Sequence, residues 1–316
     1  MRVRPATASD ALAAAFDLER DRWRDGGNRR SFVAVDDDGA LLGHCRAIDN
    51  RVHPGVRTLV LETSPDADDA VAIALLDAQL AVSTLPLRCK PTRLDTTLLA
   101  LARQRAGRVV QLMPPWRYPV SPALRRWAAS RSTPGDARIV SIDAADRAAV
   151  AALFVEHYAR QHASWSPTAE PAVLHEAFAD LLLADGPDAR DEHRSVALLR
   201  DGALVAQAIV DPPADDGSEV VLQALPRGGA TARQDLEACL AETIRRSRDG
   251  QTLLVDAHLT EADEMALVAG LPSPPAAQAG EWTAIVAIPL PGAEPPAGLA
   301  AADVPDDAGW ARTLAR

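Results

Sequence analysis

One order of predicted elements occurs twice along this chain, and that repeat limits the possible folds more than any other feature. In the second half, residues 138–142 read as a short strand. An amphipathic helix then begins at Asp146, with Val150, Leu153, Phe154, His157, Tyr158 and Gln161 at helical spacing on one face. A second helix follows around Val173, Leu174, Phe178, Leu181 and Leu182 and ends before Gly186-Pro187. Strands at 195–199 and 204–210 join through Arg200-Asp201-Gly202, a hairpin signal, and a further strand covers 219–225. After Pro226-Arg227-Gly228-Gly229 come a long helix over 231–247, a strand over 252–257, a helix over 261–269 and a strand over 282–288. The first half repeats this order in shorter form. It has a strand at 2–4, a helix at 11–23, and a hairpin of 32–35 and 41–48 through Asp37-Asp38-Gly39. A strand at 58–62, a helix at 69–82, a strand at 87–89, a helix at 96–106 and a strand at 109–113 complete it.

A repeat this long is a domain duplication, not a solenoid, and 316 residues suffice for two cores. A run of hairpin-connected strands followed by β-α-β-α-β implies a mixed sheet with helices on its faces. The expected fold class is therefore α+β, an α/β mixed sheet built twice. A single parallel dinucleotide-binding sheet is the alternative. Consecutive hairpins do not suit it, and GxGxxG is absent from the sequence. The expected organisation is a domain at 1–120, a linker at 121–136 marked by Pro122, Ser130, Ser132, Pro134 and Gly135, and a domain at 137–290. The Ala- and Pro-rich tail at 291–316 has little periodicity and is expected to be loose.

Charge and composition exclude several functions. The net charge of −11 is uneven: the first 120 residues hold 17 basic against 15 acidic side chains, whereas from residue 137 onward there are 13 against 28. So acidic a second half opposes nucleic-acid binding. No stretch approaches the roughly 20 apolar residues of a membrane span. Met1-Arg2-Val3-Arg4-Pro5 leads directly into a domain-like pattern, so a cytoplasmic location is expected. Cys45, Cys89 and Cys239 are isolated in sequence, which indicates neither a disulfide framework nor a zinc knuckle. Cys239 reads as a core residue, and Cys89 could line a cleft. No metal is expected: His157 and His162 are five apart, out of phase for pairing on a helix, and HExxH is missing. A GxSxG nucleophile elbow is missing too.

The strand-loop-helix at 222–236, set in this element order, resembles the GNAT acyltransferase superfamily. Its members carry a pyrophosphate loop of the form Q/R-x-x-G-x-G/A, and here the chain reads Arg227-Gly228-Gly229-Ala230-Thr231-Ala232. Ala230 replaces the inner glycine. Small residues at a helix N-terminus let backbone N–H groups approach a diphosphate, and Arg227 would add a charge-assisted bond. The resemblance implies two consecutive GNAT-like domains. It also implies acetyl-CoA as acyl donor, a small amine as acceptor, and a cofactor site at Leu225, Arg227, Gly228, Gly229, Ala230, Thr231 and Ala232. Further on, the run from Ala262 to Leu271 resembles the segment A-x-x-L-Y-x-x-x-G-F, with Ala266 where many members have a tyrosine as general acid. The matching turn of the first half, Ser64 to Ala70, has three aspartates and no glycine. Carboxylates there repel a diphosphate, so the first domain is expected to be degenerate.

The implied reaction needs a base to strip an ammonium proton and donors for a tetrahedral oxyanion. Glu219 on the fourth strand is the first candidate base, though a solvated carboxylate at a strand's start is the commoner case. His258, at the end of the fifth strand, can titrate near neutrality or simply cap the next helix. Tyr158, beside His157 on the inward face of the first helix, would border the acceptor pocket. Two other readings stay open. One is a non-catalytic GNAT-like binding protein. The other is a transferase that takes its acyl group from aminoacyl-tRNA or a carrier protein.

Overall fold

The computed structural model describes residues 1–7, 10, 30–182, 190–215, 217–226, 230–274 and 280–315. The helix expected at 11–23 and the loop residues Arg227, Gly228 and Gly229 lie outside these. The chain forms two compact units. One comprises Met1–Leu112, Trp165–Thr168 and Thr283–Arg316; the other comprises Met113–Ser164 and Ala169–Trp282.

The first unit starts with four antiparallel strands, β1 (Arg2–Pro5), β2 (Arg30–Val35), β3 (Leu41–Asp49) and β4 (Arg57–Thr63). The β2–β3 hairpin turns at Gly39, whose φ of 87° suits glycine, while the Asp36 carboxylate accepts the N–H groups of Asp38 and Ala40. Helix α1 (Asp69–Val82) starts where the Asp68 carboxylate caps the N–H of Ala70 at 2.9 Å. It buries Val71, Ala72, Leu75, Leu76 and Leu80, one face of the helix. Gly43 lets α1 close onto β3: a Cβ there would lie 2.9 Å from both the Glu62 carbonyl oxygen and Leu75 Cδ1. Strand β5 (Leu87–Cys89), helix α2 (Thr96–Gln104) and strand β6 (Arg108–Met113) follow.

The seven-stranded sheet runs β1-β2-β3-β4-β5-β13-β6, and β13 is Thr283–Ile288, far along the chain. Val286 pairs with Cys89, and Ile288 with Leu87. The sequence pattern assigned this strand to the second domain. The structure places it inside the first sheet. An apolar run such as Thr283-Ala284-Ile285-Val286-Ala287-Ile288 announces a fully buried strand but carries no information about which sheet will take it. The residues after it are not loose either. Val304, Ala308, Ala311 and Leu314 are buried, and Val109 exchanges backbone bonds with Leu299 and Leu314. Cys89 lines no cleft: it is buried, and burial pushes its thiol up to about 12.

The second unit begins with β7 (Arg117–Pro119) and α3 (Pro122–Ala129). Then come β8 (Ala137–Ser141), α4 (Arg147–His162), and the short helices α5 (Pro171–Ala177) and α6 (Ala179–Leu182). The hairpin of β9 (Val196–Arg200) and β10 (Ala203–Val210) turns through Asp201 and Gly202, both with positive φ, as the twist of flanking strands favours. β11 (Ser218–Ala224), α7 (Ala230–Arg246), β12 (Thr252–Val255) and α8 (Ala262–Ala269) complete it. The sheet order is β7-β12-β11-β10-β9-β8, with β11 and β12 parallel and all other pairs antiparallel. One face carries a core of Val205, Leu222, Leu236, Leu240 and Ile244 under α7. The other packs Val150, Phe154 and Phe178 against Ala197 and Ile209.

Residues 121–136, expected to be a linker, contain part of that core. Ser121 caps the N–H of Leu124 at 3.2 Å and Pro122 opens α3, whose Leu124, Trp127 and Ala128 are buried. Pro122, one of the residues that marked the expected linker, is here a proline in the first turn of a helix, behind the N-cap Ser121.

Candidate functional site: the opening between β11 and β12

The parallel pairing of β11 with β12 runs Ser218↔Leu253, Glu219↔Leu254 and Val220↔Val255, and the Asp256 N–H closes it on the Val220 carbonyl at 3.1 Å. β11 continues to Ala224 without β12 beside it. Glu219 and Leu225 bond toward β10, so backbone direction alternates and Leu222 and Ala224 turn theirs toward the opening. A cavity of about 340 Å³ lies at this end of the strand. Its floor is Ala224, Leu225 and Pro226, with Ala232 and Leu236 of α7 on one wall. Glu261, Asp263 and Glu264 at the start of α8, and His157 and Arg160 of α4, form the rest.

The polar wall is one connected network. Arg160 Nη2 donates to the Ala224 carbonyl at 3.2 Å and to His157 Nδ1 at 3.0 Å. A guanidinium can only donate, so Nδ1 is the acceptor and the ring proton sits on Nε2. That Nε2–H faces Glu264 Oε1 at 3.0 Å, and Gln161 Nε2 donates to Glu264 Oε2 at 3.3 Å. His157 and Gln161, four residues apart, thus grip one carboxyl group from one helix face. Burial, then the Arg160 charge, pull the His157 imidazole down to about 4, so it is neutral at pH 7. Glu264 is held well above the ordinary carboxyl range, first by burial and then by repulsion from Asp256, against the pull of His258.

Of the residues singled out from sequence, Leu225 and Ala232 line this cavity. Ala230 and Thr231 form the exposed first turn of α7, while Arg227, Gly228 and Gly229 lie outside the described residues. Glu219, His258 and Tyr158 are not among the lining residues. Glu219 is opposite Leu254 where the strands are still paired, five residues and about 16 Å of strand before Ala224. Tyr158 stacks on His162 at 4.1 Å and meets Phe178 at 4.9 Å, so it belongs to the apolar layer over the sheet. His258 is buried with its ring against His162, and its backbone carbonyl accepts the Glu261 N–H. Ala266 is exposed, and the buried carboxyl of α8 is Glu264. His157 was legible only as an inward-facing helix residue. Glu264 carried no signal in a helix start that reads as a solvated acidic turn. His157 and Gln161 are four residues apart, a spacing at which two side chains of one helix can reach the same partner.

The first unit has a matching opening: β4 pairs with β5 only at Arg57↔Leu87 and Thr58↔Arg88, then runs on to Thr63. A cavity of about 260 Å³ there is lined by Leu61, Thr63, Ala72 and residues 94–98. Carboxylates crowd its helix start: Asp68 caps α1, and Asp69 accepts the Thr97 hydroxyl at 2.8 Å.

No family model matches the chain, and no curated protein matches it. Solved structures do. A GCN5-related N-acetyltransferase from Sphaerobacter thermophilus is 13% identical over 94% of this chain and 97% of its own, with a TM-score of 0.57. A tandem GNAT protein from the clavulanic acid biosynthesis pathway is 12% identical over 82% of each chain, with a TM-score of 0.56. A GCN5-related glucosamine N-acetyltransferase region of a fungal multi-domain β-N-acetylglucosaminidase is 12% identical, covering 90% of this chain and 38% of that one, with a TM-score of 0.54. This chain has the tandem GNAT α+β fold, two mixed sheets of seven and six strands flanked by helices.

Proposed function

We propose that the protein is an N-acyltransferase that takes its acyl group from acetyl-CoA and passes it to a small amine, with the second unit as the catalytic one. The observation that carries this reading is the opening between β11 and β12, with a cavity at its end and the first turn of α7 beside it. The N–H and C=O groups of Leu222 and the N–H of Ala224 would pair with the amides of an extended pantetheine chain, as a strand edge pairs with any extended amide ligand. The start of α7, with Arg227 and the small residues after it, would take the diphosphate. Backbone N–H groups along β11 would face the thioester oxygen and stabilise the developing oxyanion. The fold neighbours described as N-acetyltransferases support the same reading. No described helix is long and apolar enough to cross a membrane. The reading places the protein in the cytoplasm, with neither membrane nor nucleic acid as partner.

Calorimetric titration of acetyl-CoA into the full chain tests this. The wild type should bind at one site. Arg227→Ala should weaken binding about tenfold or more, as loss of a charge-assisted bond does. Ala232→Trp, which fills the cavity, should abolish it, and Asp68→Ala in the first unit should leave it unchanged. A wild type that does not bind acetyl-CoA refutes the proposal.

A further inference from the structure

We propose that Glu264 is the acid that protonates the departing thiolate, an inference that rests on the acyltransferase reading above. Residue 266 of α8 is exposed, whereas Glu264 is only 3% exposed at the cavity wall. Its two oxygens are held by His157 Nε2–H and Gln161 Nε2, so the carboxyl group cannot swing out of the wall. His157 has its tautomer set by Arg160 and is a positioning residue.

The surroundings favour a neutral carboxyl group. Glu261, just before α8, and Asp256 and His258 of the preceding turn act on Glu264, and Asp263 lines the same cavity. α4 presents His157, Arg160 and Gln161, α7 presents Ala232 and Leu236, and β11 presents Ala224 to Pro226. Among the described residues Arg160 is the one cation lining this wall outside the imidazoles, and its Nη2 donates to His157 and Ala224. Burial, with the Asp256 and Glu261 carboxylates nearby, therefore favours the protonated form of Glu264, from which a proton can be given away.

The step balances as follows. The uncharged amine nitrogen attacks the thioester carbonyl carbon, and the C–S bond of the tetrahedral intermediate breaks. The sulfur takes the Glu264 proton and leaves as a thiol. The surplus N–H proton of the new amide passes to the Glu264 carboxylate, directly or through one water, which restores the acid. One proton has moved from nitrogen to sulfur, and no other reactant is consumed.

The test combines a spectroscopic titration with kinetics on the full chain. Infrared difference spectra between pH 5 and 9 should show a carboxylic-acid C=O band that persists at neutral pH, vanishes on alkalinisation and is missing from Glu264→Gln. With acetyl-CoA and a fixed panel of putrescine, ethanolamine and glycinamide, Glu264→Gln should lower kcat about 100-fold or more while acetyl-CoA binding is retained. The alkaline limb of the wild-type kcat profile should coincide with loss of the infrared band. Glu264→Asp should recover part of kcat. An ionised Glu264 across the whole range, an unchanged kcat in Glu264→Gln, or a limb on the acid side, as for a base, overturns the inference while leaving the acyltransferase reading standing. A wild type that neither binds acetyl-CoA nor releases thiol with any of these amines overturns both.

Discussion

Burial of His157 as a neutral ring makes the protein's stability depend on pH in a way that can be worked out. Its ordinary value is 6.5 and in the folded protein it is about 4, because burial and Arg160 both oppose a second proton. Between those values the unfolded chain binds a proton that the native state refuses. Stability from this group is therefore complete above pH 6.5 and is lost as pH falls toward 4. At about 1.4 kcal/mol per tenfold in proton affinity, the full loss is roughly 3 kcal/mol. Glu264 acts in the opposite sense: its folded value is raised, so its contribution is present at low pH and is lost as pH rises through that value. His53, also pulled down to about 4 by burial and by Arg88, adds an acid-side loss common to wild type and variant. The His157→Gln variant keeps an N–H to face Glu264 but cannot bind a proton. Urea unfolding of both proteins at pH 7, 6, 5 and 4.5, followed by a probe in the second unit, isolates the His157 part as a difference. His157→Gln should cost stability at pH 7, and the gap should narrow by roughly 2–3 kcal/mol on acidification. A gap that stays constant, or an NMR titration in which the His157 ring protonates near 6.5, refutes the argument.

Two further predictions concern the architecture. Trp127→Ala should destabilise the second unit by about 3–5 kcal/mol in a denaturant melt, because the ring is buried in its core. A linker residue would cost less than about 0.5 kcal/mol, and that result would refute the assignment of α3. Ending the chain at residue 282 removes β13 from between β5 and β6. The first unit should then lose its hydrogen-exchange protection in β5 and β6, and retained protection would show that the sheet does not need the strand.

Local patterns were read well. The hairpin turns at Gly39 and Asp201-Gly202 demand positive φ, and the sequence supplies the residue types that tolerate it. Helices α1, α4 and α7 follow the spacing of their apolar residues to within a residue or two of the expected ends. Duplicated order then implied two mixed sheets. Leu225 and Ala232, which the family resemblance implied for the cofactor site, line the cavity at the end of β11. In each case the determining interactions lie within a few residues of one another.

What the sequence by itself determined is thus the elements, their order and the class of fold, since those depend on periodicity and turn chemistry. Tertiary structure decided which sheet each strand would enter. The apolar run at 283–288 suits any fully buried position, and only the pairing of Val286 with Cys89 sets its place. The same holds for the polar wall of the cavity. His157 and Glu264 are 107 residues apart, and neither looks unusual in its own helix. Their chemistry comes from being packed against each other away from water, where burial lowers the proton affinity of the imidazole and raises that of the carboxyl group.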